Sequence, residues 1–161
     1  MFLLDTNIIS TFAPTKRQDE QTSVFREALE RHTDALYLSV VTAAEIHDGI
    51  TKLFREGASR KASDLSDWWT AVCHLYGDRI LPFDLKAAHV AGMLLDRARA
   101  QGHAPGFADV AIAATAMSRD LIIITSNMKH FRPLTSLVRE PMEFISPDRA
   151  DQAVSAERDS E

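Results

Sequence analysis

Four short apolar runs punctuate this chain: FLL at 2–4, LYLSV at 36–40, ILPF at 80–83 and LIIIT at 121–125. Each is too short for a helix and rich enough in Leu, Ile and Val for a buried strand. A fifth run, MEFIS at 142–146, carries a weaker strand signal. The stretches between them follow a helical period. Helices are expected over 23–32, 43–56, 61–76, 85–101 and 109–118. Asp84 stands as N-cap of the fourth and Gly102 closes it. The last is almost wholly Ala, Ile, Val and Met, which predicts a helix buried on every side. Strands alternating with helices restrict the chain to βαβ units, hence a parallel sheet with helices on both faces. The expectation is an α/β fold with a central parallel sheet of four to five strands. Two successive helices over 43–76 have no strand between them and should form a hairpin to one side.

A length of 161 residues, 45% hydrophobic and 25% charged, suits one domain that can bury a core unaided. The domain is expected over 1–147, and the polar acidic tail over 148–161 is expected to be disordered. The single cysteine, Cys73, excludes an internal disulfide framework and sits in an apolar stretch as a small core residue. Trp68 and Trp69 are adjacent, so one should face the core and the other a subunit interface. No basic leader with a long apolar run opens the sequence, and no run reaches membrane-spanning length. A cytoplasmic protein with no membrane partner is expected. The formal charge is −5, of which the tail supplies −3. A surface that is basic throughout is thereby excluded, but not binding of a polyanion at a site that holds a cation.

Three acids stand next to apolar structure rather than in polar runs: Asp5 after the first strand, Glu45 after the second, and Asp109 at the start of the buried helix. Each has a plain structural reading. Asp5 can cap a helix beginning at Thr6. Thr42 and Glu45 have capping-box spacing. Asp109 can answer the helix dipole. Taken together they point elsewhere, because the strand ends of a parallel sheet gather along one edge, where ligands bind. Converging carboxylates repel unless one takes up a proton or a cation joins them. A hard divalent ion accepts oxygen ligands and keeps several waters, so a few carboxylates suffice. Metal-assisted hydrolysis of a phosphodiester is the chemistry this set suggests. Asn127 follows the fourth strand and can offer a carbonyl oxygen to the ion. Thr6, Ser126 and Asn127 can orient its waters or a phosphate. Lys129 and Arg132 can attract phosphate by charge, and His130 is the one histidine near this edge. No P-loop, no GxGxxG after a strand and no HExxH is present.

At these residues the chain resembles the PIN-domain proteins, and among them the VapC-type toxins of bacterial type II toxin–antitoxin modules, the FitB-like group included. The resemblance is carried by LLDTNIIS at 3–10, the Glu after the second strand, ADVAIAATA at 108–116 and ITSNMKHF at 124–131. The segment LPFDLKAAHVAGMLLDRARAQG at 81–102 adds to it. It implies a PIN fold and a ribonuclease dependent on Mg²⁺ or Mn²⁺, with acids matching Asp5, Glu45 and Asp109. It also implies homodimerisation and neutralisation by a cognate VapB-like antitoxin. The family commonly has a fourth acid where this chain has Asn127, which bears on a second metal. Two rivals come from other classes. One is a phosphotransfer hydrolase with Asp5 as nucleophile, although the second Asp usual in haloacid-dehalogenase-like phosphatases is Asn7 here. The other is a PIN scaffold that binds partners without turnover.

Overall fold

The structure, a computed structural model, describes residues 1–16 and 19–145. Five strands form one parallel sheet: β1 (Phe2–Leu4), β2 (Leu36–Ser39), β3 (Ile80–Leu81), β4 (Ile122–Ile124) and β5 (Val138–Arg139), in the order β3-β2-β1-β4-β5. β1 is central. Phe2 and Leu3 pair with Leu36 and Tyr37 on one side, and Phe2, Leu3 and Leu4 with Ile122, Ile123 and Ile124 on the other. Successive residues of these strands face opposite sides, yet Leu3, Leu4, Ile123 and Ile124 are all fully buried. Both faces are covered, which is why the strands read as continuous apolar runs rather than alternating ones.

Eight α-helices, α1 (Thr6–Ser10), α2 (Glu20–Arg31), α3 (Val40–Arg55), α4 (Ser59–Tyr76), α5 (Leu85–Ala100), α6 (Phe107–Met117), α7 (Met128–Phe131) and α8 (Pro141–Ile145), and two 3₁₀ turns, Thr33–Ala35 and Gly77–Arg79, complete the described fold. Leu4, Leu36, Leu38 and Ile124 pack against Ile8 and Ile9 of α1, Phe25 and Leu29 of α2, Ile46 and Ile50 of α3, and Trp69, Val72 and Tyr76 of α4. Leu3 and Ile123, on the opposite face, pack against Ala91 and Leu94 of α5, the apolar residues of α6, and Phe131 of α7. α3 and α4 pack on one another as the expected hairpin. Asp84 accepts from the backbone N–H of Ala87 at 2.9 Å, and Gly102 takes φ +74° just past α5, a left-handed conformation that glycine adopts without strain. Every described residue of α6 from Val110 to Ala116 is buried. No described helix is long and apolar enough to cross a membrane.

The fifth strand is not where the sequence suggests. Residues 141–145 are helix α8, and β5 lies just upstream at Val138–Arg139, beside Ile123 and Ile124. Pro141 occupies the first helical position, where its missing N–H costs nothing, and Glu143 reaches back to accept from the backbone N–H of Glu140 at 3.1 Å. Phe144 then packs edge-on against Phe2 at 5.0 Å and Phe25 at 6.1 Å, so its apolar side is used from a helix. Trp69 is core, as expected of one of the pair. Trp68 is half-buried and lines a groove of about 240 Å³ with Phe12, Leu29, Val72 and Leu75. The expected tail over 148–161 and the boundary at 147 lie outside the described residues.

Candidate active site

The strand order has one reversal. From β1 the chain builds outward through β2 and β3, then returns across β1 to add β4 and β5 on the other side. In open parallel sheets, ligands bind in the crevice at such a switch point, outside the carboxyl ends of the strands. Here the crevice opens between the ends of β1 and β4. Asp5 follows β1 and Thr125 follows β4.

Asp5 is 5% exposed and its carboxylate is closely held. Oδ1 accepts from the backbone N–H of Thr6 at 2.7 Å, so Asp5 does cap α1. Oδ2 accepts from Asn7 Nδ2 at 2.6 Å and from the Thr125 hydroxyl at 2.7 Å. Asn7 ties the two strand ends together further: it donates to Thr125 Oγ1 at 3.1 Å and accepts from the backbone N–H of Ser126 at 3.2 Å. Burial pushes the Asp5 pKa up from 3.8 to about 6. The Thr125 hydroxyl and the Thr6 N–H pull it back, while the Asp109 and Glu45 carboxylates push it further up. All three acids therefore share one electrostatic neighbourhood.

Glu45 reaches it by a route other than a capping box. α3 begins two residues before Thr42, capped by Ser39 Oγ, which accepts from the backbone N–H of Val41 at 3.1 Å. That start puts Glu45 on the second turn of α3, exposed, where its Oε2 accepts from the Thr6 hydroxyl. The Thr42 hydroxyl is fully buried and 3.0 Å from Thr6 Oγ1. A hydroxyl has one proton, and an ionised carboxylate can only accept. With Thr6 donating to Glu45, Thr42 donates to Thr6. Thr6 thus joins Asp5, through its N–H, to Glu45, through its side chain.

Asp109 is the third residue of α6 and makes no cap bond, since Gly106 is the N-cap. Its Oδ2 lies 3.0 Å from His130 Nδ1. Asn127 precedes α7, half-buried, and its backbone N–H donates to Thr125 Oγ1 at 2.9 Å without a side-chain cap bond. Ser126 and Lys129 are exposed. Nothing local in the sequence gives Asn7, Thr42 or His130 its partner in this site. Thr125 has the one legible signal, its place directly after a buried strand.

A divalent ion is tested by the chemistry of this donor set. Three carboxylates and a side-chain amide are hard oxygen donors of the kind Mg²⁺ takes. Among the described residues no three His, Cys, Asp or Glu side chains are gathered closely enough to hold an ion by themselves. Mg²⁺ commonly uses one or two carboxylates and completes its shell with water, so the residues fit such an ion and not an all-protein cage.

A family model described as PIN domain matches residues 2–133. Toxin FitB of Neisseria gonorrhoeae is 32% identical over 133 residues, covering 81% of this chain and 91% of that protein. VapC ribonuclease Y4jK of Sinorhizobium fredii is 29% identical over 131 residues, covering 81% and 90%. The crystal structure of FitAcB from Neisseria gonorrhoeae aligns with a TM-score of 0.74 at 31% identity, covering 88% of this chain and 99% of that one.

Proposed function

This chain belongs to the PIN-domain family, and from that premise we propose that it is a toxin ribonuclease that hydrolyses RNA phosphodiester bonds with Mg²⁺ and is neutralised by a cognate antitoxin. The observation that carries the reading is the Asp5 carboxylate, buried at the switch point and held by three donors with two further carboxylates in electrostatic reach. A cation relieves that repulsion. The relatives named a toxin and a ribonuclease support the activity class.

Asp5, Glu45 and Asp109, with Asn127, would hold the ion directly or through water. When bound, it supplies positive charge to a scissile phosphate and acidifies water. The chain's own residues prepare that site. Thr6 N–H, Asn7 and Thr125 hold Asp5 in one orientation and favour its ionised form. The hydroxyl relay from Thr42 through Thr6 aims Glu45. His130 steadies Asp109. Ser126, Asn127 and Lys129 position the substrate, and hydrolysis needs no covalent intermediate. Thr6, whose N–H and hydroxyl proton are committed to Asp5 and Glu45, can only accept, as from a water at the site. Asp5 is a poor nucleophile in this setting, because both oxygens already accept hydrogen bonds and 5% exposure leaves little room for in-line attack. We place the protein in the cytoplasm as a homodimer.

Asp5→Asn is the decisive variant. Wild-type protein should cleave RNA with Mg²⁺ and stop with chelator, whereas D5N, folded by circular dichroism, should not cleave. A folded D5N that cleaves at the wild-type rate refutes the assignment. Trapping of a beryllium fluoride adduct on Asp5 would instead support phosphotransfer.

A further inference from the structure

Next to the acidic crevice is a cavity of about 230 Å³, lined by the 103–106 loop, Lys129, His130 and Pro133. It shares a wall with the site described above. His130, one of its lining residues, contacts Asp109 Oδ2 at 3.0 Å. Gly106, on its rim, is close enough that an added Cβ would sit 3.6 Å from the same oxygen. Its chemistry is the opposite of the crevice's. Among the described residues the lining holds one ammonium (Lys129) and two imidazoles (His103 and His130) with no carboxylate. By contrast, the groove at Lys16 includes Asp64 and Asp67, the one at Leu75 includes Glu30, and the one at Ser126 includes Glu140. Ala104, Pro105 and Pro133 give it an apolar part as well.

We propose that this cavity is the subsite for the nucleotide adjoining the scissile phosphate of a single-stranded RNA, a proposal that rests on the ribonuclease reading above. A chain of net charge −5 with three acids at its site repels a polyanion away from any bound metal, so a fixed cationic side chain beside the crevice adds attraction for the neighbouring nucleotide. Lys129 and His103 supply donors for a phosphate. The His130 ring and the two prolines offer faces for a base. Such stacking requires an unpaired base, and bases in loops and single strands can be splayed onto side chains in this way. The subsite would thereby select single-stranded over duplex RNA.

Binding can be read without cleavage in the D5N background. A fluorescein-labelled single-stranded RNA of ten nucleotides, titrated by anisotropy, should bind roughly tenfold more weakly when His103→Ala and Lys129→Ala are added. The slope of log Kd against log salt should fall by about 0.7 for each phosphate that is no longer neutralised. K129R should keep the slope, since it keeps the charge. A duplex of the same sequence should bind more weakly than the single strand to the parent and be little affected by the pair. His103 and Lys129 are exposed, so the variants should fold, as circular dichroism will verify. Unchanged affinity and salt slope in a variant whose parent binds RNA would overturn the subsite while leaving the nuclease intact. A wild type that neither binds nor cleaves RNA would remove the ribonuclease reading and the subsite with it.

Discussion

Asp5 combines two roles that look like alternatives in the sequence: it caps α1 and it sits at the centre of the crevice. Its pKa, pushed up to about 6 chiefly by burial, makes a testable statement about the metal-free protein. Between 3.8 and about 6 the folded state keeps a proton that the unfolded chain has released. Stability therefore falls as pH rises through that window. The contribution is fully present below the lower value and lost above the upper one, and amounts to about 3 kcal/mol at most. Chemical denaturation without divalent metal, from about pH 3.5 to 7, should show this decline, and D5N should lack it. Identical profiles for the two proteins would mean that Asp5 is not desolvated. The three acids could be picked out one by one because each adjoins an apolar run. Asn7, Thr125 and His130 could not be assigned partners, because hydrogen bonds between residues 118 and 21 positions apart depend on which strands adjoin.

Elements were legible where a local signal was unopposed. The capped and glycine-terminated α5 and the largely apolar α6 are cases in which propensity, pattern and burial agree. Two elements differ for physical reasons. At 142–146 the apolar residues suit a strand, but Pro141 and Glu143 are helix-start residues, and from the helix Phe144, half-buried, packs edge-on against Phe2 and Phe25. At Thr42 the capping-box spacing is real, but Ser39 captures the helix start first. α6 sets the position of Asp109, and its packing leaves no slack: Ala113 and Ala114 are fully buried. Ala114→Leu should accordingly cost about 1–3 kcal/mol by overpacking. Its midpoint in urea should fall with little change in m-value. A variant as stable as wild type would show that α6 is packed more loosely than its burial implies.

The whole molecule decides how the site responds to metal. Asp5, Glu45 and Asp109 come from the ends of β1, the second turn of α3 and the first turn of α6, three elements drawn together only in the folded chain. An ion held at this site, directly or through water, should stabilise the native state by mass action, about 2.7 kcal/mol at a concentration roughly one hundred times its Kd. For a chain of this size that raises Tm by roughly 5–10 °C. Differential scanning fluorimetry with and without Mg²⁺ should show the rise, its reversal by chelator, and its loss in D5N. An equal rise in D5N would assign the stabilisation to some other site. The sequence by itself determined the class of fold, since four buried runs separated by helical periods admit little but a covered parallel sheet. It also singled out three acids as candidates, because each adjoins an apolar run. Only the tertiary structure decided that β4 crosses back to lie against β1 and that β5 precedes α8. It also decided that a threonine relay, not a capping box, carries Glu45 toward Asp5. Strand adjacency and side-chain partnership are set by packing between distant segments, and local propensity carries no information about which segments those are.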